Sequence, residues 1–333
     1  MHDHQQGGGA VGGGAVESEP VLCSGWSTAL AEPTAGTAPV ARSWLAVEQP
    51  GPWGRAALGQ SHLDPALGQA LDLRSAGSGT KVVLVRRPGR HPDDHVLHRR
   101  EVLVAHTVPG RTWLRRAWVE DPAVLLELDL AALGRGEADA LSPLGPVETV
   151  EDPVLLVCTN GRRDRCCAIL GRPLAEALAR DERWHEHVLE VTHLGGHRFS
   201  PTAVLLPWGL AYGRLDQAAA HELLAGAGQG RMLLEGLRGR STWDRAGQAA
   251  EAAVRQAEEL TGLDDVVAVR RLPDLSTEHG EHGEHAVREV AAADGRRWQV
   301  ALDVVAAQPP RPESCGKAPA RPEHFLAGQP RRV

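Results

Sequence analysis

At 333 residues the chain is long for one domain and sufficient for two or three, and its 42% apolar content supports a real core. A net charge of -7 excludes a general nucleic-acid binder, which needs a basic face. With no run of about 18 apolar residues and no signal-like N-terminus, the sequence predicts a soluble cytoplasmic protein that does not enter a membrane.

Residues 1–19 are glycine-rich and are expected to be disordered. A mixed α/β domain follows over 20–148. In it Ser43–Glu48 reads as a strand ending in a turn at Pro50-Gly51-Pro52, Asp64–Leu73 as a helix and Lys81–Arg86 as a buried strand. Glu101–His106 and Thr112–Val119 are expected to pair across Pro109-Gly110, and Ala131–Asp139 is a short helix. The third region, 149–240, runs strand (Val154–Val157), polar loop, helix (Pro173–Asp181, proline in its first turn) and strand (Val188–Val191). A glycine-containing loop, two strands (Ala203–Pro207, Leu210–Arg214) and a helix capped by Asp216 complete it. That order is a thioredoxin-like layer. A small α/β appendage over 241–307 carries a helix, Ala246–Thr261, ended by Gly262, and strands Val266–Arg270 and Trp298–Val304. Residues 308–333 read as a proline-rich extended tail.

Five cysteines are an odd number for a disulfide scaffold, and clustered cysteines in a reducing compartment point to metal or redox chemistry. Two strand-end loops hold the informative residues. One is Cys158-Thr-Asn-Gly-Arg-Arg-Asp-Arg-Cys166-Cys167; the other is His193-Leu-Gly-Gly-His197. Loops that end neighbouring strands of one sheet lie side by side, so two thiolates and two imidazoles can converge on zinc or iron–sulfur. Gly195 and Gly196 permit a tight turn and close backbone approach, as does Gly161. Arg162, Arg163 and Arg165 place positive charge beside thiolates, and Asp164 can brace an arginine or a histidine ligand. Zinc usually takes a C-x₂₋₄-C half-site, and the wider gap here suits a larger core; spacing alone leaves iron–sulfur, zinc and no metal open. A thiol oxidoreductase on Cys166 and Cys167 is a weaker alternative, because no C-x-x-C is present.

C-T-N-G-x-R-D-x-C-C, then H-x-G-G-H-R-F, then W-G-L-A-Y-G-R-L resemble the sucrase/ferredoxin-like family, thioredoxin-like ferredoxin proteins. E-P-T-A-G-T-A, S-W-L-A-V-E-Q-P-G-P-W-G and S-C-G-K-A-P are similar to its bacterial members, so the resemblance spans most of 21–320. It implies a [2Fe–2S] cluster on Cys158, Cys167, His193 and His197, with Cys166 as the alternative second thiolate. It also implies electron transfer with a reductase or acceptor protein. Histidine ligands carry a second ring nitrogen that can titrate, so reduction of such a cluster is expected to be coupled to a proton. A zinc-stabilised module on the same Cys₂His₂ set is the competing reading. No carboxylate pair stands in a context for glycoside hydrolysis, so sucrase activity is not expected.

Cys23 and Cys315 read as unpaired thiols, with approach in space as the alternative. His91, Asp93, Asp94, His95 and His98 read as a solvated loop. His279, His282 and His285 read as a polar insertion, His2 and His4 as part of the floppy terminus, and Trp208 and Tyr212 as core.

Overall fold

The computed structural model describes residues 22–89, 99–273 and 285–333. The expectations for residues 1–19, the His91–His98 patch, His279 and His282 lie outside the described residues. The class is mixed α/β, with two open sheets and helices packed on them.

In the first half, β1 (Ser43–Glu48) pairs in parallel with β2 (Thr80–Arg86) and antiparallel with β3 (Arg100–His106), which pairs with β4 (Trp113–Val119). Helix α2 (Pro65–Ser75) makes the β1–β2 crossover. Asp64 caps it by accepting the Leu67 N–H at 2.8 Å, and Pro65 occupies the first turn, where its missing N–H costs nothing. Helix α3 (Leu130–Arg135) ends earlier than the sequence suggests, at Gly136, which takes the left-handed conformation that a helix stop favours.

The second half repeats this layout. Strand β6 (Val154–Cys158) pairs in parallel with β7 (Val188–Val191) and antiparallel with β8 (Ala203–Leu206), which pairs with β9 (Leu210–Tyr212). Helix α4 (Arg172–Ala179) crosses from β6 to β7, and α5 (Gln217–Ala227) follows under its Asp216 cap. The orders β2-β1-β3-β4 and β7-β6-β8-β9 are the same, and each is extended by one edge strand: β5 (Val147–Thr149) and β10 (Leu237–Arg240). The N-terminal half is thus built on the same plan as the half that carries the cysteines.

The halves join into one ten-stranded sheet through the antiparallel pair β2–β7, at Val85↔Val191 and Arg86↔Glu190. Alternation along the strands then gives three cores. Leu45, Val47, Leu84 and Val104 face α2 and α3; Leu155, Val157, Val188 and Leu205 face α4 and α5. The opposite faces of both halves share a third core, in which Trp44, Val83, Val85 and Leu103 meet Leu156, Val191, Leu206, Cys158 and Cys167.

The appendage packs α6 (Arg245–Glu258) on a sheet of β11 (Val266–Arg271), β12 (His285–Ala292) and β13 (Arg297–Ala306). Helix α6 stops at Glu259 in the left-handed conformation, before Gly262. His285 opens β12 and contacts Asp303 at 2.8 Å. The segment after Pro309 is more than a tail: β14 (Glu323–Ala327) and β15 (Arg331–Arg332) both pair with β13. Among the described residues no helix is long and apolar enough to cross a membrane.

Candidate metal centre

Every residue of β6 is buried, and Cys158 ends it, its N–H donating to the Thr202 carbonyl at 2.9 Å. The loop that follows turns on Asn160. Its carbonyl accepts the N–H groups of Arg163 and Asp164 at 3.1 Å, its Oδ1 accepts from Arg162 N–H at 3.1 Å, and its Nδ2 donates to Gly54 of the first half at 3.0 Å. The chain then enters a single π turn, Cys167–Gly171, that runs into α4. A Cβ on Gly171 would stand 2.2 Å from the Cys158 carbonyl oxygen. Glycine there lets the turn lie against the strand end, and Cys167 Sγ comes to 3.5 Å from Cys158 Sγ.

The histidine loop is tied to the first half. Thr192 N–H donates to the Leu84 carbonyl at 3.0 Å, and Leu84 N–H donates to Thr192 Oγ1 at 3.2 Å. Gly195 and Gly196 then take φ of +70° and +65°, and His197 opens a 3₁₀ turn. This brings His197 Nδ1 to 3.5 Å from Cys167 Sγ and stacks the two imidazoles, centroids 5.0 Å apart at 29°. Cys158, Cys167, His197 and His193 therefore meet as a connected set at the edge of the shared core.

Electrostatics favour the metal-binding form of Cys158 and of both imidazoles, and oppose it at Cys167. The hydrogen bond between the two thiols lowers Cys158 and raises Cys167, which burial raises further, so one proton leaves more readily than the other. Burial, then the neighbouring His197 and Arg163, push His193 down to about 3. Burial, opposed by Asp164 and helped by Arg163 and Arg238, pushes His197 down to about 4. Both rings are neutral near pH 7, as ligands must be. The Nδ1 of His193 is buried without a hydrogen-bond partner, and an orphaned buried nitrogen at such a site is what a missing metal partner leaves behind. Two thiols and two neutral imidazoles fit a [2Fe–2S] core or a zinc ion.

Beneath the loop lies Arg238, which sequence reasoning missed. It is fully buried, donates from Nη1 to the Gly195 carbonyl at 3.1 Å and from Nε to Thr37 Oγ1 at 3.1 Å, and also bonds the Thr37 carbonyl. Burial lowers it to about 9, so it stays charged. Only its place on an edge strand between two glycines hints at the role. Gly195 itself has nothing within 4 Å of a built Cβ, whereas a Cβ on Gly196 would meet Arg238 at 2.3 Å. Close approach thus belongs to Gly196 and its buried arginine. Gly161 makes room for Ala168 of the π turn.

Cys166 points away from this set. Its Sγ lies 3.4 Å from Cys23 and 3.3 Å from Cys315, and accepts from Ser24 Oγ at 3.2 Å. Cys23 and Cys315, expected as separate thiols, stand 3.7 Å apart. Asp164 joins them: Oδ1 accepts the Cys166 N–H at 2.9 Å, and Oδ2 accepts Ser314 Oγ at 2.6 Å and the Cys315 N–H at 2.8 Å. It braces neither arginine nor histidine by a direct bond. Asp164 and the thiols of Cys23, Cys166 and Cys315 form a group whose donor atoms all lie within 4.8 Å of one another, a possible metal-binding group. All five cysteines are free of disulfides. Arg163 acts electrostatically on both imidazoles, while Arg162 and Arg165 are exposed. Tyr212 is core, its hydroxyl donating to the Leu233 carbonyl at 3.1 Å.

No curated protein and no solved structure matches the chain. The sucrase/ferredoxin-like family model matches residues 34–239, more than half the sequence, and takes in both strand-end loops with their cysteine and histidine motifs. The chain belongs to the sucrase/ferredoxin-like family.

Proposed function

We propose that this protein is an electron carrier whose [2Fe–2S] cluster is held by Cys158, Cys167, His193 and His197. The observation that carries the reading is the convergence of two thiols and two imidazoles from two loops, with His193 Nδ1 buried and unpartnered. When bound, such a cluster takes up and gives back one electron at a time, and imidazole in place of thiolate raises its potential by removing negative charge.

The chain's own residues then have distinct tasks. Cys158 and Cys167 are buried on the core side, which shields the thiolates from water, while both histidines are half-exposed and form the edge that a reductase or acceptor protein reaches. Arg238 and Arg163 supply fixed positive charge against the anionic ligands. His197 turns Nδ1 toward Cys167, so its Nε2 would be left to take up or release a proton when the charge of a bound cluster changes. Beside His193 opens a pocket of about 480 Å³ lined by Arg55, Lys81 and Arg163 against one carboxylate, Asp72, a basic excess suited to an acidic partner surface.

A zinc-stabilised module would use the same four residues. The cysteine spacing, eight residues between Cys158 and Cys167 where zinc usually takes C-x₂₋₄-C, favours a core larger than one ion here. Anaerobic purification should yield a brown protein with about two irons and two sulfides per chain. His197→Cys should keep a cluster with an altered visible spectrum and a lower potential. The wild-type potential should fall with pH, by up to about 59 mV per unit for one proton per electron. A colourless protein, or an iron content unchanged in Cys158→Ala, sinks the assignment.

A further inference from the structure

The adjacent cysteines of the first loop serve different places. Cys167 faces the candidate cluster, while Cys166 faces a buried junction that the electron-transfer reading leaves unused. That junction gathers three remote segments: the first described helix, α1 (Cys23–Ala29), the loop after β6, and the arm before β14. Cys23 and Cys166 are buried, at 1% and 0% exposure, and Cys315 is half-buried.

We propose that Cys23, Cys166, Cys315 and Asp164 form a second metal site, one that takes a single tetrahedral zinc ion and staples the two ends of the chain to the cluster loop. The metric argument selects one ion. With Zn–S bonds of about 2.3 Å, a tetrahedral edge between two sulfurs is about 3.8 Å. The three Sγ–Sγ separations are 3.4, 3.3 and 3.7 Å, and Cys23 Sγ is 3.9 Å from each oxygen of Asp164. Each iron of a [2Fe–2S] core accepts only two protein donors beside its sulfides, so three sulfurs and a carboxylate this close together match the four donors of one ion instead. Three sulfurs and one carboxylate are a donor set that suits zinc.

The surroundings are built for thiolates. Ser24 Oγ donates to Cys166 Sγ at 3.2 Å. Asp164 Oδ2 is committed to Ser314 and Cys315, whereas Oδ1 accepts a single N–H, from Cys166, and keeps a lone pair for the ion. Those hydrogen bonds fix the carboxylate as outer partners do in established zinc sites. On binding, the three S–H bonds break, three protons pass to water and three S–Zn bonds form with the Asp164 oxygen as fourth donor. No electrons change hands. Without an ion, three thiols and a carboxylate in mutual contact are hard to rationalise as packing.

The test uses the full chain and reads zinc and iron separately by elemental analysis. Wild type, washed with a weak chelator, should retain about one zinc per chain. Cys315→Ala and Cys166→Ala should lose zinc at least fivefold while keeping iron and the visible spectrum; Cys158→Ala should do the reverse. Should the variants fail to fold, titration of wild type with a mercurial thiol reagent, followed by a zinc indicator, gives a second readout: zinc release should be complete at about three thiols per chain. A wild-type protein free of zinc, zinc that leaves with Cys158→Ala but not with Cys315→Ala, or a disulfide joining any two of Cys23, Cys166 and Cys315 in non-reduced peptide maps overturns the proposal. Because the metals are counted apart, zinc without iron would remove the electron-carrier reading alone, and iron without zinc would remove the staple alone.

Discussion

Gly195 and Gly196 share a left-handed backbone, yet a methyl group has different consequences at each. At Gly195 the added Cβ enters open space, so alanine costs only the left-handed conformation, about 1 kcal/mol. At Gly196 it collides with the guanidinium of Arg238, which is buried and hydrogen-bonded on three sides and has nowhere to retreat. Gly196→Ala should therefore cost about 2–4 kcal/mol and displace His197, with iron content falling several-fold; Gly195→Ala should keep its iron. Equal iron in the two variants would show that Arg238 does not set the loop. The same pair shows what a sequence reveals of a site. Cys158, Cys167, His193 and His197 were legible because each pair is local and each loop ends a recognisable strand. Cys23 and Cys315 were not: their partner lies 143 and 149 positions away, and no local pattern encodes a contact made by two chain ends. Arg238 was hidden because a buried arginine reads as surface when its partners are backbone carbonyls.

The element that organises the sheet is the seam between β2 and β7. Its two residue pairs are few, but side chains reinforce them. Arg86 bonds Glu190 at 2.6–2.8 Å with both buried, reaches the Gly51 carbonyl at 2.6 Å, and lies over the Trp53 ring at 4.0 Å; Thr159, next to Cys158, donates to the same carboxylate at 2.8 Å. Burying this pair consumes desolvation energy, so its value lies in fixing one register rather than in net stability. Glu190→Ala should destabilise the fold by about 3–5 kcal/mol, because it strands the Arg86 charge, while Arg86→Met with Glu190→Leu should recover most of that loss. Urea midpoints for the three proteins decide it; a single variant within about 0.5 kcal/mol of wild type would remove the seam from the account. Strands β1 to β4 and β6 to β9 were readable from apolar runs between turn signals. Strands β5, β10 and β15 are two to four residues long and polar, and exist only because a neighbour's edge offers hydrogen bonds. The shared plan of the two halves was illegible for a related reason: strand order is fixed by pairing partners, which periodicity does not name.

At the scale of the whole molecule, both ends of the described chain return to the site. Glu32, beyond α1, is 2% exposed and receives Arg198 of the histidine loop at 2.7 Å and Arg311 of the C-terminal arm at 3.0 Å; Arg198 also reaches Glu313 at 3.2 Å. Burial by itself would raise the Glu32 carboxyl, but the hydrogen bonds and charges of Arg311 and Arg198 hold it below the usual carboxylate range. A carboxyl lowered in the folded state stabilises in full above its unfolded value, about 4.3, and loses that contribution as pH falls through the lower folded value. The arm should accordingly stay docked at pH 5 and above and loosen in stronger acid. Glu32→Gln should loosen it at neutral pH, since the buried Arg311 then lacks its counter-charge and Arg198 keeps only Glu313, at a cost of about 3–5 kcal/mol. Limited proteolysis reads the difference directly. Cleavage between residues 308 and 322 should be slow in wild type at pH 7 and much faster in Glu32→Gln, and in wild type should accelerate only below about pH 4. Cleavage that is equally slow in both proteins would mean that strands β14 and β15 hold the arm by themselves and that the carboxylate bridging the two ends is dispensable.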